Sequence, residues 1–170
     1  VGGNQQAAVD LLLEHNADPN RADSRSYTPL MQAAGLGHLA IMRTLLDSEA
    51  IAIDTASTNQ GWTAFIFACF SGHADCAVEL ARRGCDTTLP TNFGKTGKDI
   101  AERMKHTPVL EGLRALAVEQ NAQKESEREK TREKKKKQSR LRKSKTMAQT
   151  ANLLTAQDTA LELREAAQKG

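Results

Sequence analysis

Aromatic residues are scarce in this 170-residue chain, at 4% of positions, with one Trp, one Tyr and four Phe. A core of ordinary size then has to be built from Ala, Leu and other small apolar residues, or part of the chain has no core at all. No apolar run approaches the roughly 18 residues that a spanning helix needs, which excludes a bilayer-crossing segment in this stretch. Cysteine is limited to Cys69, Cys76 and Cys85. An odd number without a secretory leader argues against a disulfide scaffold and for a reducing, intracellular setting. The chain opens on Val1 rather than Met, and the expectation is a fragment or a processed piece.

The net charge of +3 hides an uneven distribution. Residues 1–123 carry ten Lys/Arg against fourteen Asp/Glu, residues 124–145 carry twelve against four, and the last 25 residues carry two against three. The balances are −4, +8 and −1, so the parts are read separately.

What the sequence does have is repetition. TPLMQAAGLGHLAIMRTLL, residues 28–46, and TAFIFACFSGHADCAVELA, residues 63–81, each open on Thr and reach Gly-His nine residues later. Gly3-Asn4, Gly37-His38 and Gly72-His73 are spaced by 34 and 35, and Thr96 follows Thr63 by 33. Thr28-Pro29 and Thr63 have the chemistry of a helix N-cap and first turn. A short helix follows, with Ala33-Ala34 or Ala68-Cys69 on its buried side, and Gly37 or Gly72 ends it in a left-handed backbone. The second helix of each unit carries the apolar face: Val9, Leu12 and Leu13, then Ile41, Leu45 and Leu46, then Val78 and Leu80. Neither helix is long enough to be stable alone, so each unit has to bury its face on the next. The fold class is an all-α solenoid.

Those residues resemble the ankyrin repeat, in TPLMQAAGLGH, LLLEHNADPN and GHADCAVELARRGCD, over residues 3–118. The resemblance implies a partial repeat over 1–22, full repeats over 23–57 and 58–90, and a terminal one over 91–118. It departs at Met31 and Ile66, where the family usually has His, so those turns have to be held another way. DSEAIAID after Leu46 carries one extra residue and lacks the Gly or Asn that end the other second helices, so an irregular turn is expected. Gly97 replaces Pro, no Gly-His follows Met104, and Thr107-Pro108 starts the next helix. The first helix of repeat one would lie upstream of Gly3.

Residues 119–146 read as a Lys-rich helical or disordered linker, with Glu125, Glu129 and Glu133 able to meet basic partners one turn away. Residues 147–170 resume a weak apolar stripe, Met147, Ala151, Leu154 and Leu161, as a short amphipathic helix. About three heptad-like apolar positions fall short of what a coiled coil requires.

Enzymatic constellations do not survive the register. Cys69, His73, Cys76 and Cys85 could be drawn as a zinc site, but each occupies a structural slot of the repeat. Gly94-Lys95-Thr96 resembles a phosphate loop, yet Leu89 stands where its first Gly belongs. His15, His38 and His73 are also structural slots, so neither catalysis, cofactor nor small-molecule substrate is expected. In the ankyrin family the turn fingers and the outward side of the first helices line a groove that binds partner proteins. Carried over, the groove holds Arg25, Tyr27, Gln32 and Leu36, then Gln60, Trp62, Phe67 and Phe70, then Asn92, Phe93 and Lys95. The alternative is that Phe67 and Phe70 pack between repeats and leave Trp62 alone accessible.

The run KKKKQSRLRKSK has three readings: a solvated linker, a nuclear import signal, or a weak, nonspecific phosphate contact with nucleic acid or acidic lipid. The residues concerned are Lys134, Lys135, Lys136, Lys137, Arg140, Arg142 and Lys143. The leading function is a scaffold or adaptor binding protein through the groove, intracellular and with a nuclear option. The competing one is a nuclear or nucleic-acid-associated regulator acting through the tail.

Overall fold

The computed structural model describes the backbone of residues 2–168, and the side chains of residues 5–140 together with 142, 145, 147–149 and 157. Seven helices follow in order: α1 Gly2–Glu14, α2 Pro29–Leu36, α3 Leu39–Leu46, α4 Ala64–Ser71, α5 Ala74–Arg82, α6 Gly97–Arg103 and α7 Thr107–Gln168. Among the described residues there is no strand. The chain divides into two units after Glu119, and the first thirteen residues of α7 belong to the first.

The helices α2, α4 and α6 each start for a chemical reason. Thr28, Thr63 and Thr96 are extended N-caps whose hydroxyls accept the amides of Met31, Ile66 and Asp99 at 3.3, 3.4 and 3.3 Å. Asp99 reciprocates by accepting the Thr96 amide at 2.8 Å, completing a capping box. At Met31, where His was missing, the thioether sulfur lies 3.4 Å from the Thr28 amide and takes over that acceptor role.

The inner helices α2, α4 and α6 pack side by side, and α1, α3 and α5 form the outer row. Along α4, Ala64, Phe65, Ile66, Ala68 and Cys69 are all buried, so both flanks of this helix are covered. On the outer row the buried face is Met42, Leu45 and Leu46, then Cys76, Ala77 and Leu80. This shifts the expected face: Ile41 and Val78 are only half-buried, and Leu12 is 58% exposed. The reason is helical spacing, since Met42 with Leu45 and Leu46 makes one i, i+3, i+4 stripe that Ile41 flanks. In α1 the packed residues are Val9 and Leu13. Gly3, expected at a turn closing an earlier helix, is instead helical within α1.

Gly37 (φ 74°) and Gly72 (φ 78°) end α2 and α4 in the left-handed region, as expected. A Cβ on Gly37 would meet the His73 ring at 2.7 Å, and one on Gly72 the His106 ring at 2.8 Å. His73 and His106 therefore each lie against the capping glycine of the preceding unit. In the terminal unit Lys105-His106 fills the slot that seemed empty: Lys105 takes φ 60°, and His106 Nε2 donates to the Phe70 carbonyl at 3.0 Å.

The turn after Leu46 is irregular, as expected. Asn16 (φ 60°) and Gly84 (φ 88°) close α1 and α5 left-handed, whereas α3 ends at Asp47 with φ −80°. Arg83 of the next unit supplies what the turn lacks. Its guanidinium donates to the Leu46 carbonyl at 3.3 Å and pairs with Asp47 at 2.7 Å and Glu79 at 3.2 Å. Thr107 opens α7 within the terminal unit, again as expected.

Lys105 holds a conformation that costs a side-chain-bearing residue about 1–2 kcal/mol. Lys105→Gly should therefore stabilise the repeat unit by about 1 kcal/mol in urea unfolding, while Gly37→Ala, strained in backbone and against His73, should cost about 2 kcal/mol or more.

Candidate functional site

Three fingers project between the helix pairs, and each is closed by the same reciprocal bonding. The Asp23 amide donates to the Tyr27 carbonyl at 2.9 Å, and the Tyr27 amide returns to Asp23 Oδ1 at 2.9 Å. Ser57 and Trp62 repeat the exchange at 2.9 and 3.1 Å, and Thr91 and Lys95 at 2.8 and 3.3 Å. Neighbouring fingers are tied to one another: the Thr58 hydroxyl donates to Ser26 Oγ at 2.8 Å, and the Asn92 amide to the Gln60 carbonyl at 2.9 Å.

Asp23 organises the first finger. Besides Tyr27 it accepts the Arg25 amide at 2.8 Å, pairs with the Arg25 guanidinium at 3.2 Å and accepts Gln32 Nε2 at 3.3 Å. The Tyr27 amide, helped by Arg25, holds the Asp23 carboxyl below the ordinary carboxylate range. Arg25 is in turn placed over the Tyr27 ring, with Cζ 5.2 Å from the centroid.

From Tyr27 an unbroken chain of ring contacts runs along the inner helices. Tyr27 meets Phe67 edge-on at 5.0 Å, Phe67 meets Trp62 at 5.1 Å and Trp62 meets Phe70 at 4.9 Å. The rings border an open cavity of about 300 Å³, also lined by Arg25, Met31, Gln32, Gly35, Leu36 and Ser71. Gly35 sets its floor: a Cβ there would already touch the Phe67 ring at 3.4 Å, so the ring lies directly against the helix backbone. Phe70 remains 39% exposed and Leu36 65% exposed.

Of the residues expected in the groove, Arg25, Tyr27, Gln32, Leu36, Trp62, Phe67 and Phe70 come together. Gln60 and Asn92 are used in joining the fingers, Lys95 lines a separate depression with Asp99 and Arg103, and Phe93 stands apart at 75% exposure. Met31, Gly35 and Asp23 were missed. Gly35 left a signal, a second glycine two residues before the capping one, and Asp23 left another, an Asx residue opening a turn.

A larger depression of about 620 Å³ lies along α5 and the start of α7. Its charges are largely spent on each other, Arg43 on Glu79 at 3.3 Å and Arg82 on Glu119 at 3.4 Å. Cys69, Cys76 and Cys85 are buried free thiols. Burial pushes Cys69 and Cys85 up to about 12 and raises Cys76 too, the reverse of what a nucleophile needs. His73 is placed against Gly37, and among the described residues no group of three His, Cys, Asp or Glu is arranged around a metal position. In the tail, Lys134, Lys135, Lys136, Lys137, Arg140 and Arg142 are exposed on helical backbone, and the Lys143 side chain lies outside the described residues, as do those of Ala151, Leu154 and Leu161. Among the described residues no helix is long and apolar enough to cross a membrane.

Stacked helix pairs, bonded fingers and a groove along the inner row define a repeat solenoid of the ankyrin type. Sequence comparison agrees: the profile described as ankyrin repeats (3 copies) matches residues 1–91, and the chain belongs to the ankyrin repeat family. Ankyrin repeat and SAM domain-containing protein 6 of Mus musculus is 30% identical over 115 residues, covering 68% of this chain and 13% of that protein. Ankyrin repeat domain-containing protein 63 of Homo sapiens is 37% identical over 75 residues, 43% of this chain and 20% of the relative. Ankyrin repeat domain-containing protein 29 of Homo sapiens is 34% identical over 73 residues, 41% and 24%. The chain thus spans less than a quarter of each of these relatives. Ankyrin repeats are in general protein-interaction modules, and the family is typically non-catalytic.

Because its folded pKa is lowered, Asp23 contributes stability that is fully present above the ordinary carboxylate value and lost as pH falls through the lowered one. Asp86 and Asp99 are lowered as well, by their bonds to Thr88 and Thr96. Thermal melts followed by Trp62 fluorescence should be flat from neutral pH to about 5 and decline below about 4, and Asp23→Asn should melt lower at neutral pH with a shallower acid decline.

Proposed function

We infer that the repeat unit binds a partner protein by seating apolar side chains of that partner in the groove between Tyr27, Leu36, Trp62, Phe67 and Phe70. The observation that supports this reading best is the continuous row of rings bordering an open cavity in a chain otherwise poor in aromatics. Trp, Tyr and Arg concentrate binding energy at interfaces, because large rigid groups bury much area at little entropic cost. Here Arg25, Tyr27 and Trp62 are already held in place by Asp23, Ser57 and ring contacts, so little ordering remains to be done on binding. Arg25 and Gln32 give the apolar cavity a polar rim.

The reading assigns no reaction to this chain. It places the repeats at 1–118, a charged linker at 119–146 and a further helix at 147–170. Free, buried thiols fit an intracellular, reducing setting.

Peptides selected from a displayed random library against the whole chain at physiological salt provide the test. Phe70→Ala and Trp62→Ala should weaken the selected peptides by about tenfold or more, equivalent to about 1.4 kcal/mol. Phe93→Ala, exposed but away from the cavity, should leave them unchanged. Peptides indifferent to both groove substitutions would place the interface elsewhere.

A further inference from the structure

The positive charge of the second unit is concentrated more sharply than its total of +8 over residues 124–145 suggests. Residues 124–133 hold four basic and four acidic residues. Along one side Glu125, Arg128, Glu129, Arg132 and Glu133 adjoin, so this stretch compensates itself, with Lys136 at its edge. Residues 134–145 hold eight Lys/Arg and no acid, so the whole excess lies in twelve residues.

The backbone there is helical, and Lys134, Lys135, Lys136 and Lys137 are all exposed. Successive residues turn by about 100°, so four consecutive lysines point in four directions around the axis. Arg140 adds another exposed cation.

That distribution discriminates between anionic partners. A planar membrane surface meets one side of a helix and leaves the opposite charges in water. Helices that lie on bilayers also bury an apolar face, and this segment has only Leu141. A DNA major groove, about 12 Å wide, puts phosphates on both sides of an inserted helix. Twelve residues extend about 18 Å, a length over which the duplex carries about ten negative charges. The deep, narrow major groove of duplex RNA does not admit a helix in this way. No aromatic stands among the cations for single-strand bases to stack on.

We propose that residues 134–145 form a binding site for double-stranded DNA, independent of base sequence and driven by phosphate contacts around the helix. The site is separate from the aromatic groove and does not rest on it.

The test is fluorescence anisotropy of the whole chain with two unrelated labelled duplexes of about 20 base pairs, at about 50 and about 200 mM salt. Both duplexes should bind alike and lose about 10³-fold in affinity across that range, as about six phosphate contacts require. A variant with Lys134→Gln, Lys135→Gln, Lys136→Gln and Lys137→Gln keeps good helix formers and should flatten the log–log salt slope by about 3 to 4. Matched single strands and vesicles containing phosphatidylserine should bind more weakly than the duplex. Absence of duplex binding at the lower salt, an unchanged slope in the variant, or tighter binding to single strands or vesicles would each overturn the proposal.

Discussion

Everything in the repeat unit depends on the close lateral packing of the inner helices. α4 lies between α2 and α6, and Ala64, Ile66, Ala68 and Cys69 are each no more than 1% exposed. Burying side chains of the size of Phe65 or Ile66 contributes about 1.5–3 kcal/mol apiece, and no eight-residue helix could hold together without such a neighbour. Small residues set the separation. At Gly97 a Cβ would stand 2.7 Å from the Phe65 ring, so the glycine that replaces the family's proline lets the last inner helix sit directly against its neighbour.

The same packing creates the groove. With the inner contact surfaces occupied by Leu30, Met31, Phe65, Ile66 and the small residues between them, the remaining large rings lie toward the fingers. There Tyr27, Trp62, Phe67 and Phe70 meet one another, with Tyr27 and Phe67 also packed against the edge of the core. The fingers fix Tyr27 and Trp62, and hydrogen bonds between fingers carry that order from one unit to the next. Rigidity at the site is therefore a by-product of the repeat architecture.

Much of this was legible in the residues. Thr at the N-caps of α2, α4 and α6, Gly at the left-handed ends of α2 and α4 and the 33–35-residue period placed the helices of the repeats. The terminal unit was harder, because Lys105 adopts a backbone normally sought under glycine, and only the adjacent His106 marks the slot. The closure of the turn after Leu46 by Arg83 was invisible, since it joins residues from different units. In the groove, the aromatic positions followed from the repeat register. The register could not separate Phe93, which extends from a finger tip, from Phe70, which folds back on Trp62. The second unit offered composition alone: Glu and Lys favour helix but supply no core, and of the two readings, helical or disordered, the backbone takes the helical one.

The central claim is that the partner docks on the ring-lined face of the inner helices. The most direct measurement replaces Phe70, and separately Phe93, with a photo-crosslinking phenylalanine in the whole chain and irradiates it in cells. The account predicts discrete covalent adducts with protein from position 70, absent from position 93 and abolished when Trp62→Ala is added. Adducts of equal yield from both positions, or from position 93 alone, would contradict it.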